Sequence, residues 1–168
     1  MDTDETSHQD KIHLLFVDDE QQFLRSTSTR LSLRGFHVIA ADRGEKAVEV
    51  ARGERVDIAL VDLKMPGMGG EETLLALKKE HPWMEIIILT GHGSIDSAAD
   101  CAKVGAHSYL EKPCEWDRLV KALTDAYKQS VMNKMNLTEP KIEEMLKNAG
   151  SDSPVGVLRR LRELDRPD

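Results

Sequence analysis

Residues 56–70 of the chain, VDIALVDLKMPGMGG, join a short apolar run to an aspartate and a glycine-containing turn. The consecutive apolar residues Ile58–Val61 are typical of a strand that is covered on both of its faces. Asp62 follows the strand directly, and Pro66 and Gly67 then favour a turn. The stretch therefore predicts a buried parallel strand with a carboxylate at its C-terminal end.

Four more apolar runs lie before and after this strand, and amphipathic segments separate them. Together the predicted strands are Ile12–Val17, Phe36–Ala40, Val56–Val61, Glu85–Thr90 and His107–Leu110. Helices are predicted over residues 21–33, 44–52, 70–80, 94–104 and from 115 to about 132. Strands that alternate with helices predict an α/β fold, in which helices cover both faces of a parallel sheet. The second and fifth strands are shorter and more mixed in composition, which favours positions at the sheet edges.

The composition and charge of the chain limit its class. Its 168 residues, of which 40% are hydrophobic and 32% charged, suffice for one globular domain with an appendage. The formal net charge of −7 disfavours non-specific binding to nucleic acids. Cys101 and Cys114 are too few and too far apart for a disulfide framework or a paired metal site, so we expect reduced thiols. No apolar run reaches the about 20 residues of a membrane-spanning helix, and residues 1–11 lack the pattern of a signal peptide. These features predict a cytoplasmic protein without membrane contact.

Polar residues that could carry chemistry lie at the ends of four predicted strands. Because parallel strands joined by right-handed crossovers end at the same rim of the sheet, we expect Asp18, Asp19, Asp62, Thr90 and Lys112 to converge there. Three carboxylates in one pocket repel one another, and a hard divalent cation such as Mg²⁺ would stabilise them. A carboxylate can also attack phosphorus to form an aspartyl phosphate, while a metal and a lysine neutralise the transferred charge. The rim therefore predicts a metal-dependent phosphoryl-transfer site.

Four motifs lie at these strand ends: VDDE at 17–20, VDLKMPG at 61–67, TG at 90–91 and YLEKP at 109–113. Together they resemble the receiver domain of two-component response regulators, and the resemblance covers roughly residues 11–127. It implies a (βα)5 doubly wound parallel sheet with the flavodoxin-like strand order 2-1-3-4-5.

The resemblance also implies the chemical role of each site residue. Asp62 would be the phosphoacceptor and, with Asp18, Asp19 and the backbone carbonyl of Lys64, would hold Mg²⁺. The ammonium of Lys112 would bind an oxygen of the phosphoryl group.

A second group of residues would convert phosphorylation into a change of shape. Thr90 would move its hydroxyl to another phosphoryl oxygen, and Tyr109 would rotate inward into the vacated space. Pro113 would follow a cis peptide bond that aims the preceding lysine inward. Lys64 and His92 occupy the positions that would tune the lifetime of the phosphorylated state.

The implied function is a phosphorylation-controlled interaction switch. A sensor histidine kinase or a phosphotransfer protein would supply the phosphoryl group. A partner or a second copy would then read the surface of the fourth helix, fifth strand and fifth helix. No complete effector domain fits in the remaining residues, which favours a stand-alone relay or interaction module with no enzymatic turnover beyond its own phosphorylation and dephosphorylation. A phosphatase of the haloacid dehalogenase type is disfavoured, because it needs a second aspartate two residues after the nucleophile, where this chain has Lys64.

The predicted organisation has three parts: a disordered acidic N-terminus at 1–10, a receiver domain at 11–130 and a helical tail of unknown role at 131–168. Helix starts at Thr138-Glu139-Pro140 and Ser153-Pro154, with a stop at 148–150, predict two short helices in the tail. Their apolar stripes are Ile142, Met145, Leu146 and Ala149, and Val157, Leu158, Leu161 and Leu164. Such short helices need to pack on the receiver, on each other in a dimer, or on a partner.

A transcriptional regulator whose tail binds DNA is the alternative. Positive charge in the tail comes from Arg159, Arg160, Arg162 and Arg166. These arginines alternate with acidic residues, and two short helices are fewer than the three of a helix-turn-helix core, so nucleic-acid binding is not expected.

Overall fold

Parallel strands form the centre of the molecule. The structure, a computed structural model, describes residues 11–91, 93, 95–147 and 154–165. The strands are β1 (Ile12–Val17), β2 (Phe36–Ala41), β3 (Ile58–Val61), β4 (Glu85–Thr90) and β5 (Ser108–Glu111). The helices are α1 (Gln21–Ser32), α2 (Gly44–Gly53), α3 (Gly70–Glu80), α4 (Ile95–Lys103), α5 (Trp116–Met135), α6 (Glu139–Lys147) and α7 (Pro154–Leu164). The predicted disordered N-terminus, the helix stop at 148–150 and His92 lie outside the described residues.

The sheet has the order β2-β1-β3-β4-β5, and every neighbouring pair is parallel. This confirms the predicted α/β class, the strand order and the edge positions of β2 and β5. Val17 pairs with Val61, and Val61 pairs with Ile88, so the central strands end close to one another. The residues that follow β1 and β3 are therefore neighbours at the C-terminal rim of the sheet.

Two apolar layers cover the faces of the sheet. Alternate residues of a strand enter opposite layers, so that Leu14 belongs to one cluster and Leu15 to the other. The first layer contains residues of α1 and α5, such as Leu31 and Leu123. The second contains residues of α2, α3 and α4, including the buried Cys101. None of the helices in the described part of the chain is long and apolar enough to cross a membrane.

The end of α5 differs from the sequence prediction, which stopped near Met132. The helix continues to Met135, so it crosses the boundary predicted between receiver and tail. Asn136 then adopts a left-handed conformation with φ of 53° and ends the helix. Asparagine is a rarer left-handed cap than glycine, which made this end hard to recognise from the sequence. β3 also begins two residues later than predicted, at Ile58.

The tail forms two helices, as the capping pattern predicts, and both pack on the chain's own receiver. α7 lies against α5 and α6. Ile142, Leu158 and Leu161 are buried in the same apolar cluster as Val131 of α5. Of the packing modes that the sequence left open, the structure shows the intramolecular one.

An ionic cluster attaches the end of the tail near the N-terminal end of β3. Asp165 accepts hydrogen bonds from the Tyr127 hydroxyl at 2.8 Å, from Lys134 Nζ at 3.1 Å and from Arg55 Nη2 at 3.1 Å. Arg55 also donates to Asp57, the residue just before β3. The tail is thus attached to the end of the sheet opposite to the acidic rim.

Candidate functional site

Three carboxylates meet at the C-terminal rim of the sheet. Asp18 and Asp19 follow β1, and Asp62 follows β3, where its backbone N–H donates to Val17 O at 2.9 Å. One carboxylate oxygen from each aspartate lies within 4.8 Å of the others. Asp18 and Asp62 are 0% and 4% exposed, whereas Asp19 is exposed to solvent. The structure therefore brings together the three acidic residues that the strand-end rule placed at this rim.

Burial and mutual repulsion disfavour the ionised forms of the two buried aspartates. The pKa of Asp62 is raised by its burial and by the charge of Asp18, against the opposing effects of Lys112 and a hydrogen bond from the Thr90 side chain. The pKa of Asp18 is likewise raised by burial, and its hydrogen bond from Lys112 only partly offsets this. Asp62 Oδ1 is buried and has no hydrogen-bond partner among the described residues. The site holds more negative charge than its own cation compensates.

Lys112 brings an ammonium group into contact with the carboxylates. Its Nζ donates to Asp18 Oδ2 at 2.6 Å and lies 3.8 Å from Glu20 Oε1. The ammonium also sits 4.3 Å from the centre of the Phe23 ring, in cation–π geometry. The peptide bond between Lys112 and Pro113 is cis, at the position where the sequence resemblance implied one.

The side chains expected to act as a switch lie on β4 and β5. Thr90 is completely buried and hydrogen-bonds the Asp62 carboxylate. Tyr109 is partly buried, and its hydroxyl lies 3.0 Å from Ser97 Oγ of α4. A Cβ atom at Gly93 would come within 2.8 Å of the Tyr109 hydroxyl, so Gly93 lies close against this side chain. The Asp62 carboxylate, the Thr90 hydroxyl and the Tyr109 ring therefore lie on or directly after the neighbouring strands β3, β4 and β5.

The loop after β3 carries the other predicted metal ligand, the backbone carbonyl of Lys64. Gly70 N–H donates to Leu63 O at 2.8 Å and closes this loop. A side chain at Gly70 would collide with Leu63 Cα at 2.7 Å and with the carbonyl of Asp62 at 2.8 Å. The side chain of Lys64 is exposed.

Two residues beside the site were missed by the sequence analysis. Phe23 contacts Lys112 as described above, and Glu45 of α2 accepts a hydrogen bond from Met68 N–H at 2.9 Å. Neither contact has a spacing signal in the sequence, because each depends on how a helix packs beside a distant loop.

The donor set of the cluster determines which ion it could hold. The described residues of the cluster supply carboxylate oxygens, which suit a hard cation such as Mg²⁺. The buried Asp62 Oδ1 without a partner offers a free acceptor. The residues present therefore fit a magnesium ion.

Comparison with known proteins gives one consistent result. The family model described as response regulator receiver domain matches residues 14–124. The transcriptional regulatory protein GlrR of Escherichia coli K12 is 39% identical over 118 residues, which cover 70% of this chain and 27% of GlrR. The alginate biosynthesis transcriptional regulatory protein AlgB of Pseudomonas aeruginosa is 29% identical over 170 residues, covering 98% of this chain and 37% of AlgB.

Solved structures show the same similarity. The crystal structure of a CheY-like response regulator receiver domain protein from Methanospirillum hungatei superposes with a TM-score of 0.69 at 28% identity. The superposition covers 71% of this chain and 96% of that protein. The chain thus contains nearly all of a solved receiver domain but spans only about a third of the length of these curated relatives.

Proposed function

The chain belongs to the response-regulator receiver family of two-component signalling, and on this basis we propose that it accepts a phosphoryl group on Asp62. The donor is a sensor histidine kinase or a phosphotransfer protein. One observation carries the assignment: Asp62 is 4% exposed, has a free carboxylate oxygen and lies among other carboxylates. A buried carboxylate in this environment is a reactive acceptor that needs a cation beside it.

Asp18, Asp19, Asp62 and the carbonyl of Lys64 are the groups that would hold Mg²⁺. Magnesium bound to these groups would supply the positive charge that offsets the repulsion between the carboxylates and the oxygens of the incoming phosphoryl group. An Asp62 oxygen attacks phosphorus, a bond from that oxygen to phosphorus forms, and the bond from phosphorus to the donor imidazole nitrogen breaks. The electron pair of the broken bond stays on the imidazole.

Two residues stabilise the product. Lys112, which donates to Asp18 in the structure, turns its ammonium to one phosphoryl oxygen. Thr90, which already bonds Asp62, donates its hydroxyl to another. The acyl phosphate then hydrolyses slowly, and Lys64 and His92 set its lifetime. This self-limited cycle is the only chemistry that we assign, without turnover of other substrates.

The output is a change in the surface formed by α4, β5 and α5. As Thr90 moves, Tyr109 leaves its position beside Ser97 and turns inward. A partner protein or a second copy of the chain reads the altered surface.

The proposal also includes the histidine-containing donor of the phosphoryl group and a location of the protein in the cytoplasm.

The internal contacts of the tail's arginines favour a relay or interaction module over a protein whose tail binds DNA. Arg162 is 6% exposed, and Arg160 donates to Glu163 at 2.9 Å, so two of the tail's cations serve internal contacts. Titration of a labelled duplex at low salt tests this alternative, for which we expect no binding. Saturable binding that the Arg159→Glu variant abolishes would instead favour a DNA-binding output.

Intact-mass spectrometry after treatment with acetyl phosphate and Mg²⁺ tests the chemistry. We expect one added phosphoryl group in the wild type and none in the Asp62→Asn variant or in excess chelator. Rapid turnover of phosphate monoesters would contradict the proposal and favour a phosphatase. Size measurement before and after phosphorylation, with the full chain and with a chain ending at Asn136, shows whether a dimer forms and which region forms it.

A further inference from the structure

The loop between β3 and α3 is closed at its base. The hydrogen bond from Gly70 N–H to Leu63 O, 2.8 Å long, joins the two ends of the segment 64–69. The predicted metal ligand, the Lys64 carbonyl, lies inside this segment. A closed base limits the loop, but the tip needs a further contact to hold one conformation.

Glu45 supplies that contact from the first turn of α2. Its Oε1 accepts the N–H of Met68 at 2.9 Å. Gly67 has a φ of +78°, and a Cβ atom there would lie 2.6 Å from the same oxygen, so glycine leaves the space that the carboxylate fills. A Cβ atom at Gly44 would lie 3.0 Å from the carbonyl of Met68. The start of α2 therefore abuts the tip of the loop along several atoms.

The charge state of Glu45 suits this role. Hydrogen bonds from its own backbone N–H and from Met68 N–H lower the pKa of Glu45. The side chain is exposed, and desolvation opposes this lowering of the pKa less than the two hydrogen bonds favour it. The contact is a hydrogen bond to a charged acceptor, which is stronger than one between neutral groups.

We propose that Glu45 is a positioning residue for metal binding, which holds the 64–69 loop so that the Lys64 carbonyl faces the aspartates. This inference rests on the proposed function, in which that carbonyl is a ligand of Mg²⁺. Without the hydrogen bond from Met68 N–H to Glu45, each binding event would have to order the loop. The affinity for Mg²⁺ would then fall although the aspartates are unchanged.

Magnesium titration calorimetry on the full chain, combined with amide hydrogen exchange in the metal-free protein, tests the proposal. The variants are Glu45→Ala, Glu45→Gln and the matched control Glu49→Ala, an exposed glutamate one turn further along α2. We expect Glu45→Ala to raise the Kd for Mg²⁺ about threefold to tenfold, as for the loss of one hydrogen bond. Its Met68 amide should also exchange faster. Glu45→Gln, which keeps an acceptor oxygen, should recover much of both effects, and Glu49→Ala should match the wild type.

The two readouts separate the possible failures. Wild-type affinity for Mg²⁺ in Glu45→Ala overturns the inference, whether or not the Met68 amide exchanges faster. An equal loss of affinity in Glu49→Ala also overturns it, because the effect would then be one of surface charge. If the wild type itself binds no Mg²⁺, the proposed function fails rather than the role of Glu45.

Discussion

Two buried aspartates lie at the two ends of the same four-residue strand, and their surroundings are opposite. Asp57 precedes β3 and is 1% exposed, while Asp62 follows it and is 4% exposed. Asp57 accepts hydrogen bonds from His13 N–H at 2.8 Å and from Arg55 at 3.0 Å. Asp62 faces Asp18 and has a free oxygen.

The difference shows that burial alone does not identify a functional carboxylate. Lys134 Nζ adds a second cation 3.7 Å from Asp57, so this buried charge is compensated within the fold, and removal of one partner is expected to destabilise it. At Asp62 the compensation is incomplete, because burial and the charge of Asp18 raise its pKa against the opposing effect of Lys112. The sign of the neighbouring charges distinguishes Asp57, whose charge is compensated, from Asp62, the proposed phosphoacceptor.

The largest expected effect is on phosphorylation. Asp62→Asn should remove all acyl phosphate, because an amide does not attack phosphorus at a useful rate. Asp57→Asn should retain phosphorylation, because Asp57 lies at the other end of β3. Intact-mass measurement after acetyl phosphate treatment checks both variants, and equal loss in the two would remove the contrast between them.

The second effect is on stability, and here the substitution of Asp57 is expected to lower it. Asp57→Asn should lower the free energy of unfolding by about 2 kcal/mol, because it removes one of the two buried carboxylates that compensate Arg55 and Lys134 and leaves them Asp165 alone. Urea denaturation in the absence of Mg²⁺ measures this value. A change smaller than that of an exposed control such as Glu49→Gln would contradict the structural role of Asp57.

These two aspartates also show what the sequence could and could not predict. Asp18, Asp19, Asp62, Thr90 and Lys112 were predicted together because the parallel-strand rule depends only on where each strand ends. The partners of Asp57 could not be predicted in this way. Arg55 bonds Asp165 across 110 positions of sequence, and that contact exists only because α7 folds back onto α5.

The same reason explains the other differences. The strand order and the helices on both faces follow from the alternating pattern, so the fold was predicted almost completely. The contacts of Glu45 and Phe23 could not be predicted, because each joins a helix to a distant segment and local periodicity gives no signal for such packing.

A smaller effect on the free energy of unfolding is expected at Asp165, the residue through which the tail joins the ionic cluster. Asp165→Asn should lower the free energy of unfolding by about 1 kcal/mol, because Tyr127 and Lys134 keep an acceptor oxygen but lose its charge. Thermal unfolding at low and high salt checks this, since added salt should reduce the difference. The Lys121→Ala variant, which removes an exposed i,i+4 pair of α5, serves as the control.

The smallest effect concerns pH. Because the pKa of Asp62 is raised in the folded protein, the native state takes up a proton before the unfolded state as the pH falls. Ionised Asp62 therefore destabilises the metal-free protein above its raised pKa, and this cost disappears as the pH falls towards the ordinary value of 3.8. Asp62→Asn should melt at a higher temperature than the wild type at neutral pH in chelator.

The difference in melting temperature should shrink as the pH approaches that ordinary value. A scan of the melting temperature of both proteins against pH measures it. A difference that grows on acidification would mean that Asp62 is stabilised rather than strained by its neighbours.

Chemical mapping of the phosphorylated residue tests the central claim most directly. Borohydride reduction of the acyl phosphate, followed by proteolysis and tandem mass spectrometry, identifies the aspartate that carried the phosphoryl group. We expect the reduced residue at position 62, in the presence of Mg²⁺ and not in chelator. Reduction at Asp57 or at Asp18, or a yield independent of Mg²⁺, would contradict the account.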